Sequence, residues 1–172
     1  MLLLLVRLFN RGDLSAGNSY LYLSYLLFYT KLSVFSIMYP YQFTLDGKKF
    51  LCVEYYTYTK VCLLKDPHNA ERNIIKGKTG YACKDTAKTH EESGNKVAWD
   101  ACKSAIVERA LRAKFTQIDD LKCILTDNTF LEESADSIWG AGKTWDQFFD
   151  NPDFSGNNVP GKLLTSLRDS LL

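Results

Sequence analysis

Between Trp99 and Phe115 the apolar residues Trp99, Cys102, Ile106, Ala110, Leu111 and Phe115 recur close to every 3.6 residues, with alanines filling gaps between them. That period predicts one long α-helix, because it gathers the apolar side chains onto one stripe while alanine favours the helical backbone. Such a stripe must be covered by other elements, and the N-terminal third offers strands. Residues 20–51 are rich in Tyr, Phe, Leu and Val and are broken at Tyr39-Pro40 and Asp46-Gly47. Asp-Gly is a favoured two-residue hairpin turn. Residues 53–64 read as a buried helix ending near Asp66-Pro67, and the polar stretch 77–96 as a surface loop with a short helix. A further short helix is expected over 120–125, with Thr126-Asp127-Asn128 as the turn after it. The chain then ends in an amphipathic helix with Leu163, Leu164, Leu167 and Leu171 on its buried side. The mixture predicts an α+β, mainly helical, compact single domain with short strands near the N-terminus.

The balance of side chains narrows the function classes. With 172 residues, 46% hydrophobic and 24% charged, the chain is long enough to bury roughly 70% of its unfolded surface. Its 21 basic and 20 acidic residues leave a net charge of +1. A grip on long nucleic acid needs a strongly basic face, so a small charged ligand or a short piece of nucleic acid is the better expectation. The five cysteines are scattered without C-x-x-C spacing, and there are two histidines, His68 and His90. That inventory argues against a disulfide framework and against a zinc site, and no metal is expected. Reduced thiols suit a cytoplasmic protein.

The opening run Met1-Leu2-Leu3-Leu4-Leu5-Val6 stops at Arg7, too short for a secretory apolar region, and no small-residue cleavage site follows. The apolar and aromatic residues 19–29 are too few to span a bilayer and read as a strand or as an extension packed on the domain. The division expected is residues 1–25 as an N-terminal extension to which the sequence assigns no role, and 26–172 as the domain. No membrane partner is expected.

A long loop over 140–161 draws attention because such segments in compact domains are usually functional or disordered. It leads into Asn158-Val159-Pro160 at a helix start, where Asn is a good N-cap and the backbone N–H groups favour a phosphate or pyrophosphate. A plain capped helix after a surface loop is the bland alternative. Gly140-Ala141-Gly142-Lys143-Thr144 has the ending of a nucleotide-binding P-loop but not its beginning. Ser137 stands where the pattern needs glycine, and the preceding residues 132–136 are polar and acidic.

Several blocks taken in order carry more weight than any one motif. They are Phe35-Ser36 with Tyr39-Pro40, then Phe43-Thr44-Leu45-Asp46-Gly47-Lys48, then Val53-Glu54-Tyr55-Tyr56 with Lys60. The helix block Ala110-Leu111-Arg112-Ala113-Lys114-Phe115 follows, with Gln117 and Leu121. Leu131-Glu132, the run Asp136-Ser137-Ile138-Trp139-Gly140-Ala141-Gly142, and Gly156-Asn157-Asn158 with Gly161, Leu164 and Arg168 complete the order. From about Phe28 to Leu172 the chain resembles the NADAR family, which includes the YbiA proteins. The resemblance implies a compact, largely helical fold and an N-glycosidase that works without a cofactor. Two substrate classes come with it: phosphoribosylamino-pyrimidine intermediates of riboflavin synthesis, and ADP-ribose attached to guanine bases, with nucleic acid as the carrier of the base.

Cleaving a C1′–N bond requires charge stabilisation at the anomeric carbon and a proton for the leaving nitrogen, and a partly desolvated carboxyl group can supply either. Glu54 lies in an apolar and aromatic segment, Cys52-Val53 before it and Tyr55-Tyr56 after it, where a carboxylate without a task would be costly. The alternative is a glutamate on an exposed helix end. Lys60 is the candidate to form a Schiff base with a ring-opened C1′ aldehyde or to stabilise charge. It lies six residues after Glu54, where the family pattern has seven. Six helical residues turn through about 600° and seven through about 700°, so the two side chains sit about 120° from sharing a face unless the backbone adjusts. Asp136 is the third catalytic candidate.

For ligand binding the candidates are Glu132, Trp139, Gly140, Gly142 and Asn158. The glycines would let backbone approach a ligand closely, and Trp139 would stack on a base or ribose. A core tryptophan and a well-packed loop are the alternatives. Ile37 replaces the asparagine that the family carries after Phe-Ser. The reading that results is a hydrolase of N-glycosides, with a non-catalytic ADP-ribose or nucleotide-binding module as the second class.

Overall fold

The computed structural model describes residues 19–22, 25–54, 56–57, 96–125, 129–144, 146–147, 153 and 155–171. The fold is α+β. Its elements in chain order are β1 (Ser19–Tyr22), β2 (Tyr25–Phe28), β3 (Phe43–Leu45), β4 (Lys48–Phe50), α1 (Lys96–Thr116), α2 (Asp119–Cys123), β5 (Thr129–Glu132) and α3 (Val159–Asp169). Contacts divide the chain into two units, Met1–Ser36 with Cys123–Leu172, and Ile37–Lys122. Among the described residues no helix is long and apolar enough to cross a membrane.

The first unit is built on a three-stranded sheet ordered β1-β2-β5. β1 runs antiparallel to β2, with Ser19 opposite Phe28, and β5 runs parallel to β2, with Leu26 opposite Phe130. β2 is the central strand, and its Leu26, Leu27 and Phe28 are fully buried, as are Phe130 and Leu131 of β5. Phe35 bridges the layer, its ring centroid 6.1 Å from that of Phe28 and 5.0 Å from that of Phe130. Tilted pairs at these separations suit the ring quadrupoles and add about 0.5–1.5 kcal/mol each beyond the area they bury. The two buried hydroxyls nearby satisfy one another, Ser19 Oγ to Ser33 Oγ at 2.7 Å. Helix α3 packs along β5 with Leu164 and Leu167 buried, while Leu163 is half-buried and Leu171 lies beyond the helix end.

Four of the strands lie near the N-terminus as expected, and β5 is a further strand outside that expectation. Its four residues show no long alternation, and it becomes a strand because β2 offers it a parallel partner between buried layers.

The second unit holds the predicted hairpin. β3 and β4 pair antiparallel, with Leu45 opposite Lys48 across Asp46-Gly47. Both turn residues have positive φ, 54° and 72°, the signature of a type I′ turn that matches the strand twist. Phe43 stacks on Phe50 at 5.9 Å, and the edge of Tyr56 meets Phe50 at 5.0 Å. Residues 53–54 and 56–57 are helical, and the remainder of the helix expected over 53–64 lies outside the described residues, as does the loop expected over 77–96 except for Lys96, which begins the next helix. Helix α1 forms over the predicted periodic stretch, extended slightly at both ends, and packs on β3. Over residues 97–107 Trp99 and Val107 are buried and the others are half-buried or exposed. Nearer its C-terminus Ala110, Leu111, Ala113, Lys114 and Phe115 are all buried, so the helix there is enclosed almost all round.

Candidate functional site

Of the site residues expected from sequence, six lie in the first unit, and five of them, Glu132, Asp136, Trp139, Gly140 and Asn158, are joined there by hydrogen bonds. Glu132 ends β5. Its carbonyl accepts from Ala141 N at 2.9 Å, and its own N–H donates to the Asn158 side-chain oxygen at 3.0 Å. Asn158 N in turn donates to the Gly140 carbonyl at 3.0 Å, and Gly156 N to the Ala141 carbonyl at 2.8 Å. The loop after β5 and the segment before α3 are thereby laced together along their backbones. One carboxylate oxygen of Glu132 and one of its neighbour Glu133 are shielded from solvent.

Asp136 shapes the loop. Its Oδ1 accepts from Ile138 N at 2.7 Å and from Trp139 N at 2.8 Å, closing a tight turn around an exposed carboxylate. Trp139 is half-buried at the end of that turn, and the preceding Ile138 is an exposed large apolar residue. The turn therefore carries an aliphatic and an aromatic side chain adjacent in sequence.

The glycines make close approaches, and those in the structure are to the chain itself. A Cβ on Gly156 would lie 2.5 Å from the Ala141 carbonyl carbon and the Gly142 nitrogen, and one on Gly142, whose φ is +76°, would lie 2.9 Å from Gly156 N. One on Gly140 would run into Ser134. These positions admit only hydrogen because two stretches of backbone cross there.

Asn158 is 2% exposed. It stands at the cap position of α3 with φ 48° and ψ 49°, but its side chain makes no capping bond, which corrects the expectation of a side-chain N-cap. Its amide reaches sideways to β5 instead, accepting from Glu132 N and donating to the Phe130 carbonyl at 2.9 Å. Thr165, nearly two turns into α3, accepts from Phe130 N at 3.4 Å. The free edge of β5 is thus dressed by side chains from the helix, and a shallow groove of about 360 Å³ runs beside it, lined by Thr129, Phe130, Asn158, Lys162, Thr165 and Asp169 among others.

Glu54 belongs to the second unit. It is half-buried on the first helical turn after β4, flanked by the buried Cys52 and Val53, and its N–H donates to the Ile37 carbonyl at 2.9 Å. That bond ties it to the segment leading into Tyr39 and Tyr41, whose rings stack at 6.4 Å with 19° between their planes. Asp46 is held by Tyr56 Oη at 3.2 Å and by Arg109, so the hairpin turn is fastened to the short helix and to α1. Lys60, the expected partner of Glu54, lies outside the described residues, as do Trp145, Phe148, Phe149 and Phe154 of the long loop.

Lys114 is the residue that sequence reasoning passed over. It is fully buried, and its ammonium lies 5.3 Å from the ring centroids of both Tyr39 and Phe115. Burial lowers its pKa from 10.5 to about 7, against a smaller opposing pull from Cys52. A signal was available in the sequence: Lys114 falls one helical turn after Ala110 and Leu111, on the apolar stripe itself. Among the described residues no group of His, Cys, Asp and Glu is arranged to hold a metal ion.

The fold belongs to a known class. The NMR structure of the E. coli protein YbiA matches with a TM-score of 0.68 at 22% identity, covering 86% of this chain and 84% of that one. An N-glycosidase of Acanthamoeba polyphaga mimivirus is 36% identical over 81 residues, 44% of this chain and 48% of that protein. The chain therefore spans about half the length of the curated relative it matches. The NADAR domain is recognised over residues 27–172, and the chain belongs to the NADAR domain family.

Proposed function

We propose that this protein is an N-glycosidase that hydrolyses the C1′–N bond between a phosphoribose or ADP-ribose moiety and a nitrogen base. The observation that carries this reading is Glu54, a carboxylate held half out of water by an apolar segment and anchored by its backbone to Ile37, within a chain of the NADAR domain family. The N-glycosidase among its partial relatives points the same way.

In this reading the Glu54 carboxyl protonates the leaving nitrogen as the C1′–N bond breaks, and the resulting carboxylate then takes a proton from the water that attacks C1′. The products are the free sugar and the free base. Lys60 supports the positive charge that develops at C1′ or captures the ring-opened aldehyde as a Schiff base that water later releases. In the first unit, Asp136 is the further acidic candidate for the reaction, and Glu132 and Trp139 are candidates for contact with a ligand. The substrate is a small N-glycoside or an ADP-ribosylated nucleobase, the latter carried by nucleic acid, and the protein works in the cytoplasm.

The test is to incubate the protein with guanosine-linked ADP-ribose and, separately, with a phosphoribosylamino-pyrimidine, and to follow free sugar by mass spectrometry. Glu54→Gln, which keeps shape and loses the acid, is expected to lower the rate by about 10²–10⁴-fold. ADP-ribose binding without release from either substrate would instead make the chain a non-catalytic nucleotide-binding module.

A further inference from the structure

The interior of the second unit contains a charge-bearing group where an apolar one would fit. Lys114 sits on the buried face of α1 between Ala110, Leu111 and Phe115, with no part of its side chain reaching solvent. A methionine of similar length would fill that volume without desolvating an ammonium. A lysine kept at such a cost is a candidate for a functional role.

What the ammonium touches indicates what that role is. Its position over Tyr39 engages the 37–41 run, and the buried Cys52 of the segment after β4 bears on it electrostatically. Those two segments meet at the hydrogen bond from Glu54 N to the Ile37 carbonyl. Tyr39 lies two residues beyond one end of that bond, and Cys52 two residues before the other.

We infer that Lys114 is a positioning residue for Glu54: its buried ammonium, bedded on Tyr39, holds in place the 37–41 run whose Ile37 carbonyl anchors Glu54. The inference rests on the glycosidase reading of Glu54. Attraction between an ammonium and an aromatic face is strongest where both are removed from water, as they are here. It is lost when the amine gives up its proton, so the alignment of Glu54 weakens as Lys114 titrates. Among the described residues, the titratable groups that bear on it are Tyr39, whose ring it lies over, and Cys52, through its charge.

The experiment compares wild type with Lys114→Met on whichever N-glycoside the wild type cleaves, measuring kcat, KM and thermal unfolding across pH 6–10. The variant is expected to unfold at a higher temperature than wild type near pH 6, because a desolvated charge has been removed. Its kcat is expected to be lower by about 10-fold or more, the scale of a small misplacement of a reacting group, with KM little changed. A merely structural lysine would move stability and activity together. Should the variant not fold, the wild type alone decides the matter: titration of the Lys114 ε-carbon by NMR is set against the pH profile of kcat. A fall in kcat that follows the deprotonation supports the inference, and a kcat that is flat through it overturns it. Full activity of a folded Lys114→Met likewise overturns it while leaving the glycosidase reading intact. A wild type that cleaves neither substrate overturns both.

Discussion

The side-chain amide of Gln117 holds the backbone of Thr44 at both of its polar groups, accepting the Thr44 N–H at 2.8 Å and donating to the Thr44 carbonyl at 2.6 Å. Asn158 treats β5 similarly, taking the Glu132 N–H and giving to the Phe130 carbonyl. In each unit a side-chain amide beside a helix end stands where a further strand would otherwise pair. The open edge of a short sheet is satisfied by one residue.

The two amides differ in burial, so their removal is expected to differ in cost. Asn158→Leu leaves two backbone groups of β5 without their partner in a buried place and should destabilise the protein by about 2–4 kcal/mol in urea unfolding. Gln117→Leu exposes the same groups of Thr44 to water and should cost about 1 kcal/mol or less. Equal losses would mean that burial does not govern these bonds.

Glycines in the two units are expected to respond differently to an added methyl group. At Gly156 a Cβ would lie against the backbone of Ala141 and Gly142, which cannot swing away, so Gly156→Ala should cost about 3 kcal/mol or more and disturb the loop around Trp139. At Gly47 nothing lies within 4 Å of a Cβ, and only the positive φ opposes alanine. Gly47→Ala should therefore cost about 1–2 kcal/mol. Thermal melts of the two variants check the order.

Asp136 combines a turn-forming oxygen with a charge, and two substitutions separate them. Asp136→Asn keeps an oxygen for the Ile138 and Trp139 N–H groups and is expected to stay within about 0.5 kcal/mol of wild type. Asp136→Ala loses the turn and should cost about 1 kcal/mol. If the carboxylate takes part in the reaction, sugar release falls in both variants. Wild-type release from Asp136→Asn would confine the residue to shaping the loop.

Stability should depend on pH through Lys114. Its folded pKa of about 7 lies below the ordinary 10.5, so between those values the unfolded chain binds more protons than the folded one. Stability from this group therefore rises as pH increases from about 7 to about 10.5 and is flat below that window. In Lys114→Met the slope disappears, and the variant is more stable than wild type below pH 7, by an amount on the order of a few kcal/mol. Denaturant melts at pH 6 and pH 9.5 on both proteins measure the difference, and parallel slopes would place the lysine in contact with water.

Much of the local structure was legible because its causes are local. The apolar period over 99–115 specified α1, Asp46-Gly47 specified the β3–β4 turn, and the leucines at 163–167 specified α3. β5 was not legible, since four residues become a strand only when β2 lies alongside. The loop over 140–161 was recognised as a place of interest, but the task of its glycines was not. Glycine permits close approach, and sequence does not say whether the object approached is a ligand or another turn of the same backbone.

The same division holds for the charged and polar residues. The order and types of residues in this chain determined its helices, its hairpin and the choice of Glu54 as the acid to watch, because propensity, periodicity and desolvation act over a few neighbours. Only the tertiary structure decided that Asn158 faces β5 rather than the helix it precedes, and that Lys114 lies wholly inside. Burial and hydrogen-bond partnership depend on which distant segments arrive at a residue, and those segments are separated from it by tens of positions along the chain.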